Sequence, residues 1–62
     1  MAYEKLLYEV INSVAIIRLN DPATLNAMSD FMGAELLHAF RRAEQEARAV
    51  LLTSTGRAFC SG

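Results

Sequence analysis

The residues of this chain able to do covalent or acid–base chemistry are few. There is one cysteine, Cys60, and one histidine, His38; as thiolate and base they would make a nucleophilic pair. A lone cysteine is more often a small packed residue, and helical periodicity turns His38 away from an apolar helix face. Glu35, Glu44 and Glu46 offer carboxylates for proton transfer, but their spacing places them on the solvated side of that helix, as surface charge. Arg41 and Arg42 read the same way. One histidine and one cysteine make no metal-ligand cluster and no intramolecular disulfide. What remains is the chemistry of the main chain. Residues 56–62, Gly-Arg-Ala-Phe-Cys-Ser-Gly, combine two glycines with small side chains, so the backbone can approach a ligand closely. No Gly-Lys-Ser/Thr follows to make them a phosphate loop. Alone, such a stretch is more often a surface turn.

The elements that would position this loop follow from periodicity. Residues 6–11 and 14–20 alternate as strands. Asn12-Ser13 between them makes an antiparallel hairpin, with the turn type left open because serine takes positive φ less readily than asparagine. Asp21-Pro22 ends the second strand. Residues 21–28 are then a loop in which Leu25 is expected to plug into the core and Asn26 to bond its local backbone. Ser29 is an N-cap with Asp30 behind it at the positive end of the helix dipole; Met32 stands where a capping box would have Glu or Gln. Over residues 30–47, Met32, Leu36, Ala39, Phe40, Ala43 and Ala47 fall on one face. Glu44 and Arg48 have i,i+4 spacing, and Phe31 and Leu37 lie off the apolar stripe. The run Ala-Val-Leu-Leu-Thr-Ser at 49–54 is the composition of a strand covered on both faces, as in a parallel sheet. The second and third strands then flank a helix as one parallel crossover. Residues 56–62 leave the carboxyl end of the last strand, where open α/β sheets bind ligands.

Composition bounds the rest. Sixty-two residues hold at most one small domain, and 53% of them are hydrophobic, more than a lone small sheet readily hides. The chain therefore reads as the front end of a longer domain, cut within its last loop. A net charge of −1 with dispersed Lys and Arg points away from nucleic acid. No apolar run approaches the length of a membrane span, and the N-terminus resembles neither a signal nor a transit peptide. A cytoplasmic protein is the expectation.

Two separated stretches, VAIIRLNDPATLNAMS and ARAVLLTSTGRAFCSG, give this chain a resemblance to the N-terminal part of the crotonase (enoyl-CoA hydratase/isomerase) superfamily, from about Leu6 to Gly62. The resemblance implies an α/β fold: the ββαβ opening of a crotonase-like ββα spiral, comprising hairpin, loop, one amphipathic helix and one buried parallel strand. It implies an acyl-CoA thioester as substrate, with coenzyme A entering only as part of it, and an enolate-like intermediate held by two backbone N–H groups. Asn26 and Ala27 match the family's first loop. Ala23, Thr24 and Leu25 lie where that loop lines the coenzyme A channel. Phe59, Cys60, Ser61 and Gly62 match the second loop, with the main chain of Ser61 and Gly62 at the coenzyme. The oxyanion donors and the acid–base carboxylates fall after Gly62, so no catalytic residue is assigned within 1–62, and these residues alone are expected to be inactive. Asp21 departs from the family's common arginine and receives no phosphate contact; Thr24 replaces a frequent alanine. Family members are commonly trimers or hexamers, and a homo-oligomer is implied. Enoyl-CoA hydration is the leading activity, with isomerisation or another family reaction as the alternative. A reading of another class is a small non-enzymatic ββαβ binding module, with Leu37 and the exposed helix positions as its partner surface.

Overall fold

The computed structural model describes residues 3–56. Its elements run β1 (Leu6–Ile11), β2 (Val14–Leu19), a 3₁₀ turn (Pro22–Thr24), α1 (Asp30–Glu46) and β3 (Ala49–Ser54). This is the ββαβ order read from the sequence. β1 and β2 form the antiparallel hairpin, with Leu6 opposite Leu19 and Ile11 opposite Val14. Asn12 and Ser13 have φ of 51° and 66°. Two left-handed residues in a two-residue connection make a type I′ turn, whose twist suits the flanking strands. β3 pairs parallel with β2, Val14 opposite Ala49 and Leu19 opposite Ser54. The strand order β1-β2-β3 leaves β2 central. The Arg48 N–H donates to the Ser13 carbonyl at 2.7 Å, which ties the start of β3 to the hairpin turn.

The helix begins where expected. Ser29 is extended (φ −92°, ψ 170°) and its hydroxyl accepts the Met32 N–H at 3.1 Å, satisfying one of the free donors of the first turn. The helix ends one residue earlier than its periodicity suggests, because Ala47 turns extended (φ −141°, ψ 164°) while its N–H still reaches the Ala43 carbonyl. Arg48 is thereby off the helix, and the anticipated Glu44–Arg48 pair is replaced by Arg42–Glu46 at 3.0 Å.

One face of the sheet carries the core. Leu6, Ala15, Ile17 and Leu19 are buried with Met32, Ala39 and Ala43 of α1, and Tyr3, Tyr8, Leu36, Phe40 and Leu52 pack around them. Three of the buried positions are alanine, so the helix can lie close to the strands. Strand alternation sends Leu7, Ile11, Ile16 and Leu51 to the other face. Leu7, Ile11 and Leu51 are 48%, 48% and 53% exposed. β3 is thus not covered on both faces: its helix side is half-sheltered, Val50 and Leu51 are open, and its outer edge is unpaired among the described residues.

Gly33 lies in the first turn of α1 with nothing within 4 Å of where a Cβ would sit. Gly33→Ala is expected to raise stability by about 0.5–1 kcal/mol, through the lower backbone entropy of the unfolded chain, measured by urea unfolding.

Candidate functional site

The loop between β2 and α1 folds around its own polar atoms. Leu25 and Asn26 both adopt left-handed backbone, φ 54° and 57°, which costs energy for non-glycine residues. Hydrogen bonds hold them there. The Asn26 N–H donates to the Asp21 carbonyl at 2.9 Å, and the Asp21 N–H donates back to Asn26 Oδ1 at 2.6 Å. The Thr24 hydroxyl donates to Asp21 Oδ2 at 2.7 Å and accepts the Ala27 N–H at 3.3 Å. Lys5 Nζ also reaches Asp21 Oδ2, at 3.2 Å. The Thr24 hydroxyl, and then the Lys5 ammonium, hold Asp21 below the ordinary carboxylate range. The Asp21 that departs from the family pattern is therefore occupied within its own loop.

Asn26, not Leu25, is the residue this loop buries. Asn26 is 0% exposed and Leu25 only half-buried. The two successive left-handed residues direct the carboxamide inward. Beyond the local bond expected of it, Asn26 reaches across the fold: Nδ2 donates to the Thr55 carbonyl at 3.2 Å. Thr55 follows β3 directly. Its N–H donates to the Leu19 carbonyl at 2.8 Å, and its hydroxyl donates to Asn20 Oδ1 at 2.8 Å. The first loop and the start of the second are thus joined at the carboxyl ends of β2 and β3.

Glu35 overturns its reading as surface charge. It is 1% exposed, and its two carboxylate oxygens each accept a backbone N–H at 2.7 Å, from Glu4 and from Lys5. The carboxylate is a structural acceptor that fastens the segment before β1 to α1. A carboxylate is stable when buried only with such charge-assisted bonds. Helix periodicity could not reveal this, since the segment that covers Glu35 comes from another part of the chain. Further along the same side of α1, His38 Nδ1 shares a 2.8 Å hydrogen bond with the Tyr3 hydroxyl. Arg42 stacks 4.3 Å from the Tyr8 ring centroid, and the Tyr8 hydroxyl donates to Glu46 at 2.9 Å. Partial burial, and then that bond to Glu46, push the Tyr8 phenol above its ordinary value.

Of the sequence-derived binding residues, Ala23 and Thr24 are exposed and Leu25 is half-buried, all on the first loop. Ser61 and Gly62, with Phe59 and Cys60, lie outside the described residues. Among the described residues no group of three or more His, Cys, Asp or Glu could hold a metal, and no helix is long and apolar enough to cross a membrane. A depression of about 280 Å³ lined by Leu7, Tyr8, Glu9, Ile16 and Arg18 sits within the β1–β2 hairpin and holds none of the residues of either loop.

The described residues thus form a mixed three-stranded sheet with one crossover helix, and a loop after β2 bonded to Thr55 at its carboxyl edge. Residues 9–62 match the family described as Enoyl-CoA hydratase/isomerase, and the chain belongs to that family. It is 47% identical over 62 residues to a probable enoyl-CoA hydratase of Rhodobacter capsulatus, covering 100% of this chain and 24% of that protein. It is 38% identical over 61 residues to the 1,2-epoxyphenylacetyl-CoA isomerase of Escherichia coli, covering 95% of this chain and 23% of that one. The crystal structure of an enoyl-CoA hydratase/isomerase from Mycobacterium paratuberculosis superposes with a TM-score of 0.94 at 43% identity, over 98% of this chain and 25% of that one. The chain thus spans about a quarter of the length of these relatives.

Two outcomes follow from the polar contacts. Glu35→Ala leaves two backbone donors without their acceptor and is expected to cost about 1–3 kcal/mol, with Glu35→Gln, which keeps one acceptor oxygen, losing less; chemical unfolding of the protein carrying each variant measures both. Because Asp21 is held low, its contribution is present above the unfolded aspartate pKa of about 3.9 and is lost as pH falls from there through the folded value. Asp21→Asn is expected to flatten that part of the acid-unfolding curve, read by circular dichroism across the acid range.

Proposed function

We propose that this chain is the N-terminal part of an acyl-CoA enzyme that adds water to a 2-enoyl-CoA thioester. In that reaction the water oxygen bonds to C3, a proton is delivered to C2, and the negative charge developing on the thioester oxygen is held by two backbone N–H groups. In this reading Ala23, Thr24 and Leu25 line the channel for coenzyme A. The main chain at Ser61 and Gly62 contacts the coenzyme, and the N–H of the residue after Gly62 is the first oxyanion donor. The side chains of residues 1–62 supply position and not proton transfer. Glu35, the one buried carboxylate among the described residues, is committed to the Glu4 and Lys5 N–H groups.

The observation that most supports the reading is the bond from the first loop to Thr55. The first loop carries the Leu-Asn-Ala signature, and its Asn26 bonds the residue that precedes the glycine-containing second loop. A thioester contacted by both loops needs them held at a set distance. The similarity to an epoxyphenylacetyl-CoA isomerase favours isomerisation of an acyl-CoA as the second reading, since both reactions pass through an enolate-like state.

The test is turnover of crotonyl-CoA by the protein carrying this chain, followed as loss of the conjugated enoyl thioester. Hydration to the 3-hydroxyacyl thioester is expected. Residues 1–62 on their own are expected to give none, and turnover by them would place the machinery within this chain and overturn the assignment. A protein that shifts the double bond of a 3-enoyl-CoA without adding water would replace hydration by isomerisation.

A further inference from the structure

We infer that Asn26 is a positioning residue that locks the first loop to Thr55, so that the entry of the chain into the second loop is set by a side chain of the first. This rests on the thioester reading for its catalytic consequence and on the geometry alone for the lock. The carboxamide is 0% exposed, so each of its polar atoms must find a protein partner. Oδ1 takes the Asp21 N–H at 2.6 Å and Nδ2 gives to the Thr55 carbonyl at 3.2 Å. The two bonds have opposite polarity, and the second reaches a residue 29 positions along the chain from Asn26. Aspartate keeps the acceptor but offers no N–H, leucine offers neither, and glutamine is longer by a methylene in a fully buried site.

Thr55 is fixed by every polar group it has. Its N–H goes to Leu19, its hydroxyl to Asn20 Oδ1, and its carbonyl to Asn26. The first two bonds anchor Thr55 to the end of β2. The third alone ties it to the first loop. The Thr55 carbonyl belongs to the peptide plane shared with Gly56, which has φ 79°, so holding that oxygen sets the orientation in which the chain enters the second loop. The left-handed backbone of Leu25 and Asn26 is the strain that brings the carboxamide into reach, and strain of this kind persists where surrounding bonds over-determine it. The lock joins a loop argued to line the coenzyme channel to one argued to lead into the oxyanion donor. Its loss therefore displaces a donor relative to the thioester carbonyl. Such a displacement weakens the transition state more than the ground state, and reads as a fall in kcat with little change in KM.

The variant that separates the two bonds is Asn26→Asp. It preserves the acceptor for the Asp21 N–H and removes the donor to Thr55. In the protein carrying this chain, we expect kcat for crotonyl-CoA to fall on the order of tenfold to a hundredfold, with KM changed by less than about threefold. Hydrogen exchange should quicken at least about tenfold in peptides spanning residues 21–28 and 54–56 together, while the centre of α1 is unchanged. A second measurement needs no variant. In native-state exchange of the wild-type protein, the Asp21 N–H and the Thr55 N–H should open in one cooperative unit with a common denaturant dependence. Separate openings of the two, or an Asn26→Asp protein whose two segments exchange as in the wild type, would overturn the lock. An Asn26→Asp protein with faster exchange in both segments but wild-type kcat would leave Asn26 structural and overturn its positioning role. Absence of crotonyl-CoA turnover in the wild type would count against the thioester reading, and the cooperative opening would still decide the lock.

Discussion

β2 has a strand on each edge, and the remaining elements take their places from that constraint. Its backbone donors and acceptors are shared between β1 and β3, so it can neither slide nor tilt without breaking a ladder. Its inward side chains, Ala15, Ile17 and Leu19, are fully buried. The first loop leaves from its carboxyl end, and Thr55, where the chain leaves β3, is bonded to that end. The Leu19 carbonyl receives Thr55, and the Asn20 N–H goes to the Lys5 carbonyl, so β1, β2 and the residue after β3 converge within two positions. In parallel α/β architecture this edge is the place where backbone groups are free to meet a ligand. The place where these segments meet is therefore a consequence of which strand sits in the middle.

A second set of contacts secures the helix to the hairpin by polar means. Glu35, His38, Arg42 and Glu46 recur at helical spacing along one side of α1, and each engages the segment from Tyr3 to Tyr8. Glu35 carries the most weight, because it is the buried member and accepts two main-chain bonds. The others are exposed, and exposed pairs contribute little singly. They complete a seam beside the apolar core, where Leu6, Ile17 and Ala39 meet. Hydrophobic burial supplies the attraction between helix and sheet, while the Glu35 bonds choose the register of the segment that enters β1.

The opposite face of the sheet has no cover within the described residues. Leu7, Ile11 and Leu51 are open there, and Phe31 and Leu37 are open on the helix. Exposed apolar surface of this extent marks a contact face. The family relatives are about four times as long as this chain, and the unpaired outer edge of β3 has the backbone groups to accept a further strand. Leu37, the partner surface of the binding-module reading, is among these exposed residues.

Much of this protein is determined by local sequence. Strand alternation, Asn12-Ser13, Asp21-Pro22, the Ser29 cap and the apolar stripe of α1 each act within a few residues, and every element they imply is present with ends within one residue of expectation. The two stretches that carry the family signature are equally local, which is why the family was legible without coordinates. Three features were not. Glu35 stands among charged residues and looks solvated until the chain before β1 folds over it. β3 looks doubly buried from its apolar run, yet among the described residues Val50 and Leu51 are open. Asn26 looks like a loop residue bonding its neighbours, and its bond to Thr55 exists only when the crossover brings position 55 beside position 26. A side chain's periodicity tells which way it points along its own element. What it meets there is set by segments distant in sequence, and for Glu35 and Asn26 that meeting, made by the tertiary structure alone, turned ordinary polar residues into buried ones that join distant parts of the chain.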